Sequence, residues 1–440
     1  MTGGARVAVA LAVVLVVAGA TPATGDRAGA AGEQPTIEST VSSHPEPTSL
    51  QSSPDGESTA TENNVSLETI EFEPTYDPHA VLDRVERLRG LDALNGITIH
   101  EYDEKPSREF DIRDAFAGIR PVGARALQLY SNASAERTQP LGYTVEREGA
   151  VHVYLMNASD LEQYGVSQEL VLAHEFVHAI QFQQELLSPS RDGLRSEFPR
   201  WTTDTMLVAT AVIEGDAMWV TEQYVERYGE GNYSVEAYNR SLNRSAWPHS
   251  LGGLPYYYGY QFYERAGSAP VARSDAIRQP PNATAELLDP DAPIERRPAP
   301  EPAPTEFFGT SELSRYHTDT VGELVVRHVF RLNGLSFDRA AAAADGWVND
   351  RMYYYAAGNG SNPVIHWTTA WENDSEAAAF ADAWRAMVAA NDGRSVGNGV
   401  IRVPASDEAP GGYYVLERDG ATVRITVTAQ EERAMRLAAA

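Results

Sequence analysis

Residues 167–185 read SQELVLAHEFVHAIQFQQE, a pattern typical of a metal-binding helix. His174 and His178 are four residues apart, just over one helical turn, and Glu175 follows the first of them. Side chains at this spacing leave one face of a helix with their Cβ atoms about 5 to 6 Å apart, so both imidazoles can converge on one ion. The pattern predicts two metal ligands, with Glu175 placed to handle a metal-bound water.

The residues around the histidines predict an amphipathic helix. Ser167 is a suitable N-cap, Glu169 favours the first turn, and Ser188-Pro189 ends the pattern. Five apolar residues predict a buried stripe along it: Leu170, Val171, Ala173, Val177 and Ile180. Such a stripe matters because surroundings of low dielectric constant strengthen the electrostatic effect of an ion on its water.

A second long helix, predicted from Thr205 to Tyr228, supplies a candidate third ligand. It contains the segment VIEGDA at 212–217, in which Glu214 lies 36 residues beyond His178. Two histidines and one glutamate are a standard ligand set of catalytic zinc, which leaves the fourth position to water. The alternative for Glu214 is a buried glutamate that pairs with an arginine.

The histidine motif also has alternatives that the sequence leaves open. The two histidines and the glutamate could lie on a solvated helix face, or they could hold a metal without catalysis. Cysteine is absent, which excludes disulfides, thiolate ligands and cysteine nucleophiles. Any metal in this chain must therefore be held by nitrogen and oxygen atoms.

The charge balance is strongly acidic. The 62 acidic residues exceed the 35 basic ones, the formal net charge is -27, and Lys105 is the single lysine. This argues against nucleic acid or an anionic membrane as a partner. A carboxylate-rich surface that avoids lysine is typical of a halophilic protein, because the Debye length falls to about 3 Å at 1 M salt. An ordinary acidic secreted protein is the alternative.

The N-terminal region indicates export. Residues 1–20 resemble a secretory signal peptide, with an apolar run from Val7 to Val17 followed by Ala18-Gly19-Ala20. Residues 21–75 are rich in Ser, Thr, Pro and Glu and predict a disordered linker or stalk. Exported chains can be glycosylated, and nine sequons begin at Asn64, Asn132, Asn157, Asn232, Asn239, Asn243, Asn282, Asn359 and Asn373.

Order is predicted from residue 76 onward. The pattern predicts a helix from Pro78 that stops at Gly90, a strand at 95–102, a helical stretch at 112–129 and a β-hairpin at 142–156. If the chain resembles zinc peptidases, a strand of the hairpin borders the metal site and offers a free edge to an extended substrate. The alternative is a plain sheet strand.

The remainder of the chain is predicted to contain two further parts. Residues 266–310 are rich in proline and predict a surface excursion, and residues 311–440 predict an α+β part. Its predicted helices are 319–332, 337–344 and 376–390, and its predicted strands are 352–357, 364–370, 413–417 and 422–428. The histidines of this part, His317, His328 and His366, are expected to be structural, as is His100.

The segments LVLAHEFVHAIQFQQ and AVIEGDAMWV, with AVHVYLM upstream, resemble exported zincin metallopeptidases of the gluzincin type and haloarchaeal surface proteins that carry the same helix pair. The resemblance implies zinc (Zn2+) held by His174, His178 and Glu214, with Glu175 as general base. It also implies that residues 76–265 form a zincin-like domain, with a small sheet and its edge strand packed on the metal-binding helices.

One position departs from that family. Thermolysin-like enzymes have an acid four residues after the glutamate ligand, which orients a zinc-bound histidine, and here that position is Met218. Asp216, two residues after the ligand, is expected on another helical face. A different residue must therefore orient the histidine. Tyr256 is a candidate donor to the transition state, and aromatic core packing is the alternative for that tyrosine.

These observations predict an exported zinc metallopeptidase of the endopeptidase type, located outside the cell or at its surface. Glu175 would activate a zinc-bound water for attack on a peptide carbonyl. The expected partner is a peptide or protein substrate, with no nucleic acid and no stable membrane span in the mature chain. The alternatives are a surface protein whose zinc site is structural or vestigial and acts in binding, and a zinc hydrolase that cleaves a non-peptide bond.

Overall fold

The computed structural model describes residues 11–13, 65–70, 72–102, 140–187, 202–229, 233–242, 247–291, 313–357, 363–405 and 411–439. These residues belong to one compact unit of mixed helices and strands, which confirms the predicted α+β class. The predicted helix at 112–129 and most of the predicted linker lie outside the described residues.

The first half of the chain contains a mixed five-stranded sheet in the order β1-β4-β5-β3-β2. Strands β2, β3 and β5 are parallel to one another, whereas β4 and β1 run antiparallel to their neighbours. The strands are β1 (Leu11–Val13), β2 (Leu67–Ile70), β3 (Ile97–Tyr102), β4 (Gly142–Arg147) and β5 (Ala150–Met156).

The predicted hairpin is present as β4 and β5. Its turn residues Glu148 and Gly149 both have positive φ angles, 54° and 83°, as a two-residue hairpin turn requires. Strand β2 lies inside the range predicted to be linker. Its residues pair in parallel with β3, beginning with Leu67 opposite Ile97, so this part of the range is ordered by the sheet.

Helices pack against this sheet and against one another. The first helix ends as predicted, because Gly90 adopts the left-handed conformation at its C-cap. The helices of this half are α1 (Pro78–Arg89), α2 (Ala158–Leu161), α3 (Gln168–Gln183), α4 (Thr203–Tyr228), α5 (Val235–Leu242), α6 (Trp247–Ala266), α7 (Pro270–Arg278) and α8 (Thr284–Leu288).

The predicted surface excursion, residues 266–310, is partly helical instead. Its described residues include α7 and α8, and Pro270 stands at the start of α7, where a missing N–H costs nothing. Arg273 of α7 is fully buried. Proline content predicted a loop here, but the proline begins a packed helix.

The second half is an antiparallel seven-stranded sheet in the order β6-β7-β8-β12-β11-β10-β9. Its strands are β6 (Leu313–Asp319), β7 (Trp347–Ala357), β8 (Val364–Trp371), β9 (Arg394–Gly397), β10 (Val400–Val403), β11 (Gly412–Asp419) and β12 (Thr422–Thr428). Its helices are α9 (Gly322–Leu332), α10 (Phe337–Ala344), α11 (Asp374–Ala390) and α12 (Glu431–Leu437). Strands β6, β9 and β10 were not anticipated from the sequence.

The two halves share a hydrophobic core. Trp347, Trp367 and Phe380 of the second half lie in one buried cluster with Leu207 of α4 and Leu251 of α6. The helix that carries Glu214 is therefore packed against the second half as well as against α3.

Three of the sequon asparagines have structural roles. Asn157 and Asn373 accept hydrogen bonds from backbone N–H groups as helix N-caps, and Asn239 is buried. A glycan on Asn239 would require its side chain to leave the folded core.

Candidate metal centre

Helix α3 carries the two histidines and Glu175 through the middle of the first half. Ser167 begins the helix as predicted, because its Oγ accepts a hydrogen bond of 3.2 Å from the Leu170 N–H. The helix is not amphipathic, however. From Gln168 to Gln181 every residue except Glu169 is buried, because the sheet covers one side and α4 covers the other.

The three predicted ligands converge. The Nε2 atoms of His174 and His178 lie 3.2 Å apart, and Glu214 Oε2 lies 3.4 Å from the first and 3.2 Å from the second. Ligand atoms about 2.0 to 2.1 Å from a tetrahedral zinc ion stand about 3.3 to 3.4 Å apart. The spacing of the three atoms matches three corners of such a tetrahedron, and among the described residues this is the group that could hold a metal ion.

A threonine orients His174. The hydroxyl of Thr221 donates to the carbonyl of Ala217 at 2.8 Å and lies 3.0 Å from His174 Nδ1. Because its single proton is already used, the hydroxyl accepts from the ring and the proton of His174 sits on Nδ1. The lone pair of His174 is then on Nε2, which faces the other ligands.

A glutamine orients His178. Gln181 Oε1 lies 2.9 Å from His178 Nδ1, while its Nε2 group donates to the carboxylate of Asp216 at 2.9 Å and to the carbonyl of Ile213 at 3.1 Å. Gln181 therefore does for His178 what Thr221 does for His174. Neither residue was predicted from the sequence, although Gln181 lies three residues after His178, about one turn along the same helix.

The facing lone pairs require a cation among them. Glu214 Oε2 is buried and has no hydrogen-bond partner, although both imidazoles are close. Burial lowers the pKa of His174 and also acts to lower that of His178. For His178 the charge of Glu214 and its hydrogen bond, together with the charge of Glu175 and the hydrogen bond to Gln181, outweigh burial and raise the pKa to about 9. Burial raises the pKa of Glu214, and the two imidazoles bring it below its usual value. A proton on His178 or a metal ion supplies the charge, and this donor set of two nitrogens and one oxygen fits zinc.

Glu175 lies against the strand beside the ligands. Its Oε2 accepts a hydrogen bond of 2.7 Å from the Thr144 hydroxyl, and its Oε1 is buried without a partner. A Cβ on Gly142 would come within 2.9 Å of that Oε1, so the absence of a side chain at 142 lets β4 approach. Burial is the main reason that the pKa of Glu175 is raised to about 8.

The edge of β4 is occupied in the structure. Residues Leu11–Val13, in the predicted signal peptide, pair antiparallel with it, and Val13 stands opposite Gly142. The strand that borders the site was correctly located, but the expectation of a free edge does not hold for the full chain.

Two other sequence expectations concern Asp216 and Tyr256. Asp216 was placed on a face away from the site, yet it reaches Gln181, and it is this acid rather than Glu214 that pairs with arginines. Tyr256 is buried in the hydrophobic core, where its ring contacts that of Tyr238. Its position thus agrees with the alternative of aromatic packing in the core.

The four histidines expected to be structural take part in local contacts, and the ring of His317 lies 5.1 Å from that of Tyr354. His328 lies 2.8 Å from the Ser250 hydroxyl, His366 lies 2.8 Å from that of Thr426, and His100 stacks on Tyr154. These contacts agree with the structural roles expected for them.

Comparison with known proteins gives one match. A family described as a domain of unknown function, DUF8575, matches residues 311–438. The matched region contains the seven-stranded sheet and its helices and does not include α3 or α4. No curated protein and no solved structure matches the chain. None of the described helices is both long enough and apolar enough to cross a membrane.

Proposed function

We propose that this protein is an exported zinc-dependent metallopeptidase with a zincin-like catalytic part, acting as an endopeptidase outside the cell. The observation that carries the proposal is the convergence of His174, His178 and Glu214 at tetrahedral spacing, with Glu175 buried next to them. The first three residues hold Zn2+, and Glu175 is the general base. When bound, Zn2+ supplies a Lewis acid that polarises a carbonyl and lowers the pKa of a water.

The chain's own residues set up the proton transfers. Thr144 holds Glu175 Oε2, which leaves Oε1 as the oxygen that takes a proton from the attacking water. The same oxygen then returns the proton to the departing amine. Burial raises the pKa of Glu175, and a carboxylate whose conjugate acid has a higher pKa is a stronger base toward the proton of the water.

Strand β4 is the proposed site of an extended peptide substrate. Its edge already pairs with Leu11–Val13, which shows that the backbone groups there accept an antiparallel strand. Removal of residues 1–20 as a signal peptide would vacate this edge. Main-chain pairing of this kind binds peptides with little dependence on their sequence.

The composition supports an exported and salty setting. A net charge of -27 causes strong repulsion between the chain's own carboxylates at low salt. High salt weakens this repulsion because it shortens the screening length. The protein is therefore expected to fold and to act in molar salt.

The proposal is tested with the purified exported protein and its Glu175→Gln variant. Metal content is measured by mass spectrometry, and cleavage is measured on peptide libraries in high salt. We expect about one zinc per chain in both proteins, with turnover of the variant reduced by at least about 100-fold because general acid–base catalysis contributes roughly 10² to 10⁴. A wild-type protein that binds no zinc overturns the proposal.

A second candidate is a surface protein with a structural or vestigial zinc site. The observation that favours it is burial, because His174, Glu175 and His178 have no solvent exposure and Glu214 is 1% exposed. A substrate could reach Glu175 only if the covering residues move. Full zinc occupancy without turnover on broad peptide libraries would support this candidate over the peptidase.

A further inference from the structure

Asp216 is a buried carboxylate that accepts hydrogen bonds from three side chains. Arg89 Nε donates to its Oδ2 at 2.7 Å, Arg273 Nη1 donates to its Oδ1 at 2.6 Å, and Gln181 Nε2 donates to its Oδ2 at 2.9 Å. All four side chains are fully buried. The two arginines already neutralise the charge of the Asp216 carboxylate. The hydrogen bond from Gln181 is therefore not needed for that purpose.

The arginines fix where the carboxylate lies. Arg89 is the last residue of α1, and Arg273, on α7, donates to the backbone carbonyls of Leu88 and Arg89 at 3.1 and 3.2 Å. Arg89 also donates to the hydroxyl of Ser274 on α7. Asp216 of α4 is thus held between two other helices, and its position does not depend on the metal ligands.

The position of Asp216 determines the orientation of Gln181. The carboxylate of Asp216 and the carbonyl of Ile213 can only accept hydrogen bonds, so the amide group of Gln181 must present its nitrogen to both. The amide oxygen then faces His178 Nδ1 and can only accept a proton from it. The lone pair of His178 is thereby fixed on Nε2, on the side of Glu214.

We infer that Asp216 is a positioning residue of the metal centre, which acts on the ligand His178 through Gln181. The inference rests on the proposed function only in taking His178 as a metal ligand. Asp216 would thereby take the role of the acid that thermolysin-like enzymes carry at the position of Met218. Its carboxylate lies two residues after Glu214 instead of four, and Gln181 connects it to His178. Loss of such an orienting partner costs about 10 to 100-fold in metal affinity.

The inference predicts a specific pattern of coupling. Gln181→Met keeps the volume of the side chain and leaves the arginine pairs of Asp216 in place, and we expect it to weaken zinc binding by about 10 to 100-fold. Asp216→Asn should weaken binding through the same route. The double variant should then bind zinc no more weakly than the weaker single variant.

Thr221 provides a comparison within the same centre. It orients His174 and has no hydrogen bond with Gln181 or Asp216 in the structure. The effect of Thr221→Val should therefore multiply with that of Asp216→Asn, because the two act on different histidines. Glu323→Gln, which alters a buried carboxylate paired with Arg327, controls for general destabilisation and should leave zinc affinity unchanged.

Two measurements test the inference without use of enzymatic activity. Chelator competition on the full chain gives the zinc dissociation constant of each variant, and nitrogen NMR of the imidazoles reports which ring nitrogen of His178 carries the proton. The expected result is a coupled loss of affinity for Gln181 and Asp216, with mixed His178 tautomers in both single variants.

Several results would overturn it. These are a Gln181→Met protein with zinc affinity within twofold of wild type, effects of Gln181 and Asp216 that multiply, or an unchanged His178 tautomer. If Asp216→Asn does not fold, Asp216→Glu, which keeps the charge and displaces the carboxylate from Gln181, takes its place beside Gln181→Met. A protein that binds zinc with this coupling but cleaves no peptide would refute the peptidase proposal and leave the inference intact.

Discussion

Gly215 and Gly259 bring helices α4 and α6 into backbone contact, and a Cβ on Gly215 would come within 2.2 Å of the Gly259 carbonyl carbon. Gly215 follows Glu214 directly. The glycine of the Glu-Gly pair is thus explained by helix packing, because only a residue without a side chain allows α6 to cross at this point. The crossing holds the ligand helix where Glu214 can meet the two histidines.

The first prediction concerns this crossing. In Gly259→Ala the new Cβ would lie 2.1 Å from the Ala211 carbonyl oxygen, so the two helices must separate. We expect a loss of about 1 to 3 kcal/mol in the free energy of unfolding. Zinc affinity should fall as well, since the displaced helix carries Glu214. Denaturant titration and chelator competition measure the two effects, and wild-type values in both would contradict the explanation.

The second prediction concerns Thr144. Thr144→Val removes the hydroxyl that holds Glu175 Oε2, so peptide cleavage should fall by roughly 10-fold, the cost of about 1.4 kcal/mol for one hydrogen bond to a charged group. Zinc affinity should not change. Thr368→Val is the matched control, because the Thr368 hydroxyl is buried without a partner and its loss should be neutral. Equal activities of the two variants would exclude a role for Thr144.

The third prediction concerns the start of the ligand helix. Asp319 of β6 accepts from the N–H of Thr203 at 2.8 Å and from its hydroxyl at 2.6 Å, and so caps α4 from the second half of the molecule. Asp319→Ala leaves both donors buried and should cost about 1 to 3 kcal/mol. Asp382→Ala removes an exposed ion pair and should change stability by less than about 0.5 kcal/mol. Thermal unfolding of the two variants would show a difference, and equal melting temperatures would argue against the cap.

The fourth prediction is a pH dependence of stability. Burial lowers the pKa of His328 to about 3 and that of His366 to about 4, whereas both titrate near 6.5 in the unfolded chain. Below pH 6.5 the unfolded chain binds protons that the folded chain does not. The contribution of these two histidines to stability is therefore present above pH 6.5 and is lost as the pH falls, by up to about 1.4 kcal/mol per pH unit for each histidine.

Denaturant titrations from pH 7.5 to pH 4.5 at constant high salt measure this slope. The His328→Gln variant should show a shallower slope than the wild type, because one of the two protons is no longer bound on unfolding. Identical slopes for the two proteins would mean that His328 is protonated in the folded chain.

The sequence predicted those features of the site that depend on local chemistry. Ser167 and Gly90 mark helix ends through their own side chain or backbone, and the spacing of His174 and His178 follows from the helical turn. The pairing with Glu214 was found because that residue type completes a known ligand set. These signals are contained within a few residues of chain.

The rest depends on contacts between distant residues. Helical spacing in the sequence placed Asp216 on a face away from the metal. Such spacing gives the direction of a side chain but not the neighbour that the side chain meets. Its partners Arg89 and Arg273 are 127 and 57 residues away along the chain. Strand β6 was missed for a similar reason: its exposed middle residues lack strong apolar alternation, and pairing with β7 orders them.

The cap that Asp319 places on Thr203 joins the region that matches a known family to the helices that precede it. The match to the DUF8575 family begins at residue 311, yet Leu207 and Leu251 from the preceding half belong to the same buried cluster as Trp347. The boundary of the matched region therefore divides one physical unit. A protein that carried the DUF8575 region without these helices would expose the apolar surface that contacts Leu207 and Leu251 here, unless another segment covered it.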